Sequence, residues 1–268
     1  MLLTFLKVIV PIVILVCVVL AVLYFKQEIW MFHPQLTAPD YKYSTSLPSR
    51  EITFDAAGLR IHALLVEATQ PQGNILYLHG NAGNLETWSH VAEQLATKLS
   101  WNVWVLDYPG FGKSSGRIES ERQLIEISEA FRKVSWEQDT TDTKKWVIFG
   151  RSLGSGMATW LASKNEVSAL ILETPYTRFS DVVKRVAPWA PHFILRYRLP
   201  TIEWFPEVRA PIIILHGTAD GLVPHEMAEN LSKLNPRSQL VSIPRGEHSN
   251  LSQFPEYWRA LQKFFDTL

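Results

Sequence analysis

The chain reads as an α/β protein with one mostly parallel sheet of about eight strands, helices on both faces, and an apolar helix ahead of it. Three observations predict this. From residue 74 onward, short apolar runs of strand length alternate with stretches of helical periodicity. Two hairpin-like strand runs precede that alternation. The N-terminus holds 18 uncharged apolar residues in a row, about 27 Å as a helix at 1.5 Å per residue, close to the hydrocarbon thickness of a bilayer.

That apolar run is Val8 to Phe25, bracketed by Lys7 and Lys26. A cleaved signal peptide needs small residues after the apolar stretch, and LYFKQEIW supplies none. A buried core helix needs a polar face, and this one has none. Residues 1–30 are therefore expected to form a transmembrane anchor, with Pro11 near its start, where a missing N–H costs least. Lys7 and the amino terminus stand against Lys26, which tips the N-terminus inward and sets the remainder on the outer face. Prolines at 34, 39 and 48 make residues 31–50 a linker lying along the domain that follows, 51–268.

Within 51–268 the expected strands are Glu51–Phe54, Ile61–Val66, Asn74–Leu78, Val103–Leu106, Trp146–Phe149, Ala169–Leu172, Ile212–Leu215 and Leu240–Ile243. Leu85, Trp88, Val91 and Leu95 share one helix face, and Leu124, Ile127, Phe131 and Val134 share another. Trp258, Leu261 and Phe265 form a third near the C-terminus, with Pro255 suited to a first helical turn. In such sheets ligands sit beyond the carboxyl ends of the strands, so chemistry is sought in the residues after each strand.

Composition removes several function classes. Without residues 1–30 the chain carries 24 basic and 25 acidic residues, and a near-neutral domain has no general attraction for nucleic acid. The one cysteine, Cys17, lies in the anchor, which excludes disulfides, zinc-thiolate sites and a cysteine nucleophile from the domain.

Two segments match GxSxG, the signature of a serine nucleophile on a strand-to-helix elbow. In GFGKSSG the pattern falls on Gly112, Ser114 and Gly116, but DYPGF breaks the strand before it and Gly116-Arg117 follow before any helix. Nor does it close a phosphate-binding loop, because GxxxxGK[ST] would require glycine where Asp107 stands. It reads as a tight turn after the fourth strand, with Asp107 and Lys113 structural and its serines in turn or capping roles.

In GRSLG, by contrast, WVIF runs straight into Gly150 and LGSGMATWLASK continues as a helix. An elbow holds its serine in a strained backbone conformation that costs about 1 to 3 kcal/mol. Gly150 and Gly154 keep the flanking positions small enough to permit it, so Ser152 is the candidate nucleophile. The plain alternative is a serine cap on a helix N-terminus.

A serine hydroxyl attacks only when a base takes its proton, and the base works only when a third group holds its tautomer. HGTADGLVP puts Asp220, and RGEHSN puts His248, in loops after late strands. The order Ser, Asp, His is that of α/β-hydrolases. From about 50 to 268 the chain resembles that superfamily through LHGNAGN, DYPGFGKSSG, GRSLGSG, ETPYT, HGTADGLVP and GEHSN. Together these look most like the membrane-tethered, small-lid branch that includes acylglycerol lipases and protein depalmitoylases.

The resemblance implies an α/β-hydrolase fold, a triad of Ser152, Asp220 and His248, and oxyanion donors at the backbone N–H groups of Leu153 and Asn81. Gly80 and Gly83 would let the Asn81 loop approach closely. His79 and His216 would brace loops at strand ends, His62 lies in an early strand, His225 opens a helix, and Glu247 is a solvated loop charge. Such a site calls for no cofactor and no metal.

The insert at about 177–209 is where these enzymes carry a lid; it mixes Trp189, Phe193, Ile194 and Leu195 with Arg196 and Arg198. Its six basic residues against three acidic ones suit a rim facing anionic head groups, and a solvated helix pair covering the core is the competing reading. With an anchor upstream, the expected substrate is an acyl ester or thioester presented at a lipid bilayer, with no nucleic-acid partner. A peptidase on the same fold and a non-catalytic membrane-tethered binding protein remain open alternatives.

Overall fold

The computed structural model describes residues 2–189, 191 and 194–268. Its centre is an eight-stranded sheet: β1 (Ser49–Ala56), β2 (Leu59–Val66), β3 (Asn74–Leu78), β4 (Asn102–Leu106), β5 (Trp146–Arg151), β6 (Ala169–Glu173), β7 (Ile212–Gly217) and β8 (Ser238–Ile243). The spatial order is β1-β2-β4-β3-β5-β6-β7-β8. β2 runs antiparallel to both β1 and β4, and every other neighbouring pair is parallel. All eight expected strands form.

β3, β4 and β6 are buried at every residue, as strands covered on both faces must be. Successive side chains point to opposite faces. Leu76, Leu78, Trp104 and Leu106 therefore join one core, with Phe131 and Met157, while Ile75, Tyr77, Val103 and Val105 join the other, with Trp88 and Leu261. The helices over these faces are α2 (Leu85–Leu99), α3 (Glu121–Glu137), α4 (Leu153–Lys164) and α8 (Pro255–Phe265). Asn84 caps α2 by accepting from the Thr87 N–H, and Ser120 caps α3 by accepting from that of Gln123.

Both of the expected faces on α2 and α8 pack on the core, with one position in each only partly buried. Ala92 rather than Val91 is buried on α2, and Tyr257 takes the inward place on α8 while Trp258 is half-buried, its indole N–H donating to Ser252 O at 2.7 Å. An indole N–H needs an acceptor, and the helix edge offers one that the core does not.

Ahead of the sheet, α1 (Leu2–Met31) is a single 30-residue helix, about 45 Å long at 1.5 Å per residue. Pro11 sits inside it rather than near its start, a correction to the sequence expectation: the helix begins at Leu2, well before the apolar run. Ile9–Met31 has a mean hydropathy of 2.8, and side chains from Ile12 to Val19 are exposed. The helix runs past Lys26 to Met31. Its last turns meet the insert, where Leu23 packs on Ile194 and Glu28 pairs with Arg196 at 2.8 Å.

Residues after α1 form a strap despite their prolines. His33–Pro34 pairs in parallel with Ala82–Gly83, and Leu36 bridges to Gly112. The insert holds α5 (Phe179–Val186) and α6 (Thr201–Trp204), and α7 (His225–Ser232) follows β7. Phe193, named above in the lid, lies outside the described residues. Of the six basic residues in the insert, Arg196 pairs with Glu28, while Arg178 and Arg198 share Glu203. Glu28, from outside the insert, thus offsets one charge of the expected cationic rim, and Glu203 is divided between two arginines.

Candidate active site

In spatial order β3 lies between β4 and β5, so the chain leaves β3 toward one side and β5 toward the other. Loops that diverge in this way leave a crevice at the carboxyl ends of the strands. Asn81 follows β3, Ser152 follows β5, Asp220 follows β7 and His248 follows β8, so all four come to that edge.

β5 turns into α4 at Ser152, whose backbone lies at φ 48° and ψ −116°, a region that non-glycine residues rarely occupy. The Ser152 N–H donates to Glu173 O at 2.9 Å, and Ser152 O accepts from the Ser155 N–H at 2.9 Å. The turn is this sharp because α4 lies almost against the sheet. A Cβ on Gly150 would overlap Ala158 and the Gly154 carbonyl, and one on Gly154 would overlap the Leu78 carbonyl.

His248 joins the two other groups. Its Nε2 is 2.9 Å from Ser152 Oγ and its Nδ1 is 2.8 Å from Asp220 Oδ2. Asp220 Oδ1 accepts from the N–H groups of Leu222 and Val223 at 2.9 and 2.8 Å. Burial pushes the Asp220 carboxyl up, but the donors from His216, His248 and the backbone outweigh it and hold it below the usual carboxylate range.

His216 does more than brace its loop. Its Nε2 is 2.9 Å from Val223 O and 3.2 Å from Asp220 Oδ2, and the side chain is wholly buried. It thereby ties Asp220 to the loop that cradles it. The i,i+4 spacing within HGTAD was the available signal.

His79 is also fully buried, with Nδ1 donating to Gly80 O at 2.6 Å and the ring stacked on Trp88. Burial lowers its pKa to about 3, so the ring is neutral and serves as a brace. Gly80 corrects an expectation: a Cβ there would stand 3.7 Å from Trp88 and 3.8 Å from Ser152 Cβ, ordinary contact, so space does not require glycine. Gly83 does require it, at φ 87°.

Leu153 opens α4, where the first N–H groups have no intrahelical acceptor. The strap holds the Asn81 loop: Asn81 Nδ2 donates to Met31 O at 2.9 Å, and Asn81 O accepts from the His33 N–H at 2.9 Å. Neither bond uses the Asn81 backbone N–H.

Behind the elbow lies a polar cluster that sequence reasoning missed. Arg151 pairs with Glu173 at 3.2 Å, lies over the Trp88 ring, and Glu173 accepts from the Tyr257 hydroxyl at 2.7 Å. Arg151 and Glu173 are register partners on β5 and β6. Opposite charges ending two apolar strands were the only sequence trace of it.

GFGKSSG is accounted for elsewhere. Ser114 Oγ donates to Asp107 O at 2.8 Å and accepts from the His62 N–H at 2.9 Å, while Lys113 pairs with Glu51 at 2.7 Å. Burial raises Asp107 well above the usual carboxylate range. From Ser152 and Asn81 a cavity of about 360 Å³ extends outward, lined chiefly by apolar side chains of α1, α5 and the insert. No cluster of potential metal ligands occurs among the described residues.

The strand order, the single antiparallel excursion at β2 and the elbow after β5 define the α/β-hydrolase fold. A family model of the alpha/beta hydrolase fold matches residues 73–202. Among curated relatives, the alpha/beta hydrolase domain-containing protein WAV2 of Arabidopsis thaliana is 29% identical over 235 residues, covering 78% of this chain and 75% of its own length. Protein bem46 of Schizosaccharomyces pombe is 28% identical over 211 residues, covering 75% and 70%. Among solved structures, an esterase from Pyrococcus furiosus superposes with a TM-score of 0.69 at 18% identity, over 88% of this chain and 97% of its own. A soluble variant of monoglyceride lipase from Saccharomyces cerevisiae does so with a TM-score of 0.67 at 16% identity, over 86% and 99%.

Proposed function

We propose that this protein is a membrane-anchored serine hydrolase that cleaves carboxylic esters or thioesters of acyl and lipid substrates. The observation that carries this reading is His248 spanning Ser152 Oγ and Asp220 Oδ2 with two short hydrogen bonds. In the reaction, Ser152 Oγ attacks the acyl carbonyl carbon while its proton passes to His248 Nε2. Asp220 holds the Nδ1–H and stabilises the imidazolium. The N–H groups of Leu153 and Asn81 receive the oxyanion, a contribution of about 2.7 to 4 kcal/mol per donor in such sites.

As the tetrahedral species collapses, the carbonyl–leaving-group bond breaks and His248 returns the proton to the departing alkoxide or thiolate. Water then attacks the acyl-enzyme, gives a proton to His248, and the carboxylic acid leaves as Ser152 regains its hydrogen. His79, Gly80, Gly150 and Gly154 act in support, by bracing the Asn81 loop and by permitting the elbow.

An acyl substrate is favoured by the apolar cavity at Ser152, and by likeness to an esterase and a monoglyceride lipase in fold. Acylglycerols and S-acylated proteins, the substrates of the branch that the motifs resemble, are both within this class. Residues 1–30 anchor the chain in one pass, with the N-terminus inside, 31–50 link it, and 51–268 form the hydrolase domain on the outer face. The support is the 23-residue apolar segment Ile9–Met31.

The test is covalent labelling with a fluorophosphonate, followed by a panel of acyl esters, thioesters and amides. Ser152→Ala is expected to abolish labelling and turnover, and Ser114→Ala to retain labelling. Labelling that survives the first change and vanishes with the second would overturn the assignment. Amide turnover exceeding ester turnover would make the protein a peptidase, and no labelling at all a binding protein.

A further inference from the structure

The cavity at Ser152 has an unusual wall. α1 runs without a break from its exposed apolar stretch into the site, where Leu23, Gln27, Trp30 and Met31 line the cavity opposite Phe179 and Val182 of α5. These last turns are held in place. Gln27 bonds both ways to the insert, Nε2 to Ile194 O at 3.0 Å and Oε1 from the Arg196 N–H at 3.0 Å. Glu28 pairs with Arg196 and accepts from the Tyr197 hydroxyl at 2.9 Å. One turn on, Met31 O takes the Asn81 side chain, so the helix end is fastened to the loop beside Ser152.

One and two turns before Leu23 the situation reverses. Val16 and Val19 are 50% and 47% exposed. On the far side of the cavity Val186 and Trp189 are 69% and 64% exposed. The apolar surface is therefore continuous from the membrane-spanning part of α1, through the gap between α1 and α5, to the nucleophile.

We propose that the last turns of α1 form a wall of the acyl site, and that a lipid acyl chain passes from the bilayer to Ser152 between α1 and α5 without crossing water. This rests on the serine-hydrolase reading above. A chain moving along this route exchanges one hydrocarbon surrounding for another, whereas a route through solvent would first expose it. It follows that α1 sets chain-length selectivity as well as location.

The test uses the full chain in phosphatidylcholine vesicles and alkyl fluorophosphonates from ethyl to hexadecyl, reading the rate of covalent inactivation. In the native protein the rate is expected to rise with chain length. Each methylene that leaves water for the bilayer is worth roughly fourfold in rate at a fixed aqueous concentration of probe. Leu23→Trp, which overfills the cavity once a hexadecyl chain occupies it, should lower the hexadecyl-to-ethyl ratio roughly tenfold. Leu23→Ala should shift the preference to longer chains, and it keeps the test alive if the bulkier variant does not fold. Val19→Trp, on the lipid-facing side, should leave the ratio at its native value.

At constant bulk concentration the hexadecyl rate should follow the probe's mole fraction in the vesicle. A ratio unchanged in both Leu23 variants, or a rate indifferent to mole fraction, would overturn the proposal while leaving the serine-hydrolase reading intact. Native protein that no probe labels would remove that reading and this proposal with it.

Discussion

Replacing Ser152 by glycine should leave a more stable protein than replacing it by alanine, the reverse of the usual order. The reason is local. At φ 48° and ψ −116° the Ser152 backbone carries strain of about 1 to 3 kcal/mol for any residue with a Cβ. Alanine keeps that strain and glycine releases it. Both variants lose the hydrogen bond between Ser152 and His248, about 0.5 to 1.5 kcal/mol, so this loss cancels between them. Glycine also frees the unfolded chain, which costs about 0.4 to 1 kcal/mol. The balance leaves Ser152→Gly ahead of Ser152→Ala by about 1 to 2 kcal/mol. At about 2 to 4 °C per kcal/mol for a domain of this size, the expected difference in Tm is about 2 to 8 °C. Tryptophan fluorescence during thermal unfolding in detergent micelles would read it. An alanine variant as stable as the glycine variant, or more so, would refute the claim that the elbow stores strain.

Three other outcomes are expected. Asp220→Asn should keep the geometry of the site yet lower kcat by about 10⁴, because an amide presents His248 with the wrong partner and tautomer; single-turnover acylation would show it. Arg151→Met should destabilise the fold by about 3 to 5 kcal/mol by leaving Glu173 buried without its cation, and the Arg151→Met, Glu173→Leu double variant should recover much of this in denaturant titrations. His79, whose folded pKa is depressed to about 3, contributes stability that is complete above its unfolded value near 6.5 and is lost as pH falls from there toward 3. Between pH 7 and pH 5 this amounts to about 2 kcal/mol, and His79→Phe should flatten that part of the pH–stability profile measured by denaturant midpoint.

The eight strands were legible because burial on one or both faces imposes composition and periodicity over a handful of residues. The elbow was legible for a related reason. Gly150 and Gly154 must lack a Cβ where α4 meets Ala158 and the Leu78 carbonyl, a steric demand written at the two positions themselves. Choosing GRSLG over GFGKSSG needed only the neighbouring residues, since a strand must abut the first glycine of an elbow and a helix must follow its serine. Pro11 was misplaced because helix ends in an apolar run carry little local signal once capping residues are absent. The cationic rim was overcounted because composition cannot report that Arg196 has already found Glu28.

Read alone, the amino-acid order settled the strand and helix succession, the position of the elbow, and the chain order of serine, aspartate and histidine. Each follows from sterics or periodicity acting within a few residues. Only the tertiary structure decided that His216 also reaches Asp220, that Arg151 and Glu173 close a buried pair behind the elbow, and that α1 ends as a wall of the cavity. Gln27 and Ile194, 167 positions apart, meet because the end of α1 and the insert are brought together by the packing of everything between them. No short stretch of sequence carries that information, because such contacts depend on how whole elements are oriented and not on the preferences of the residues that make them.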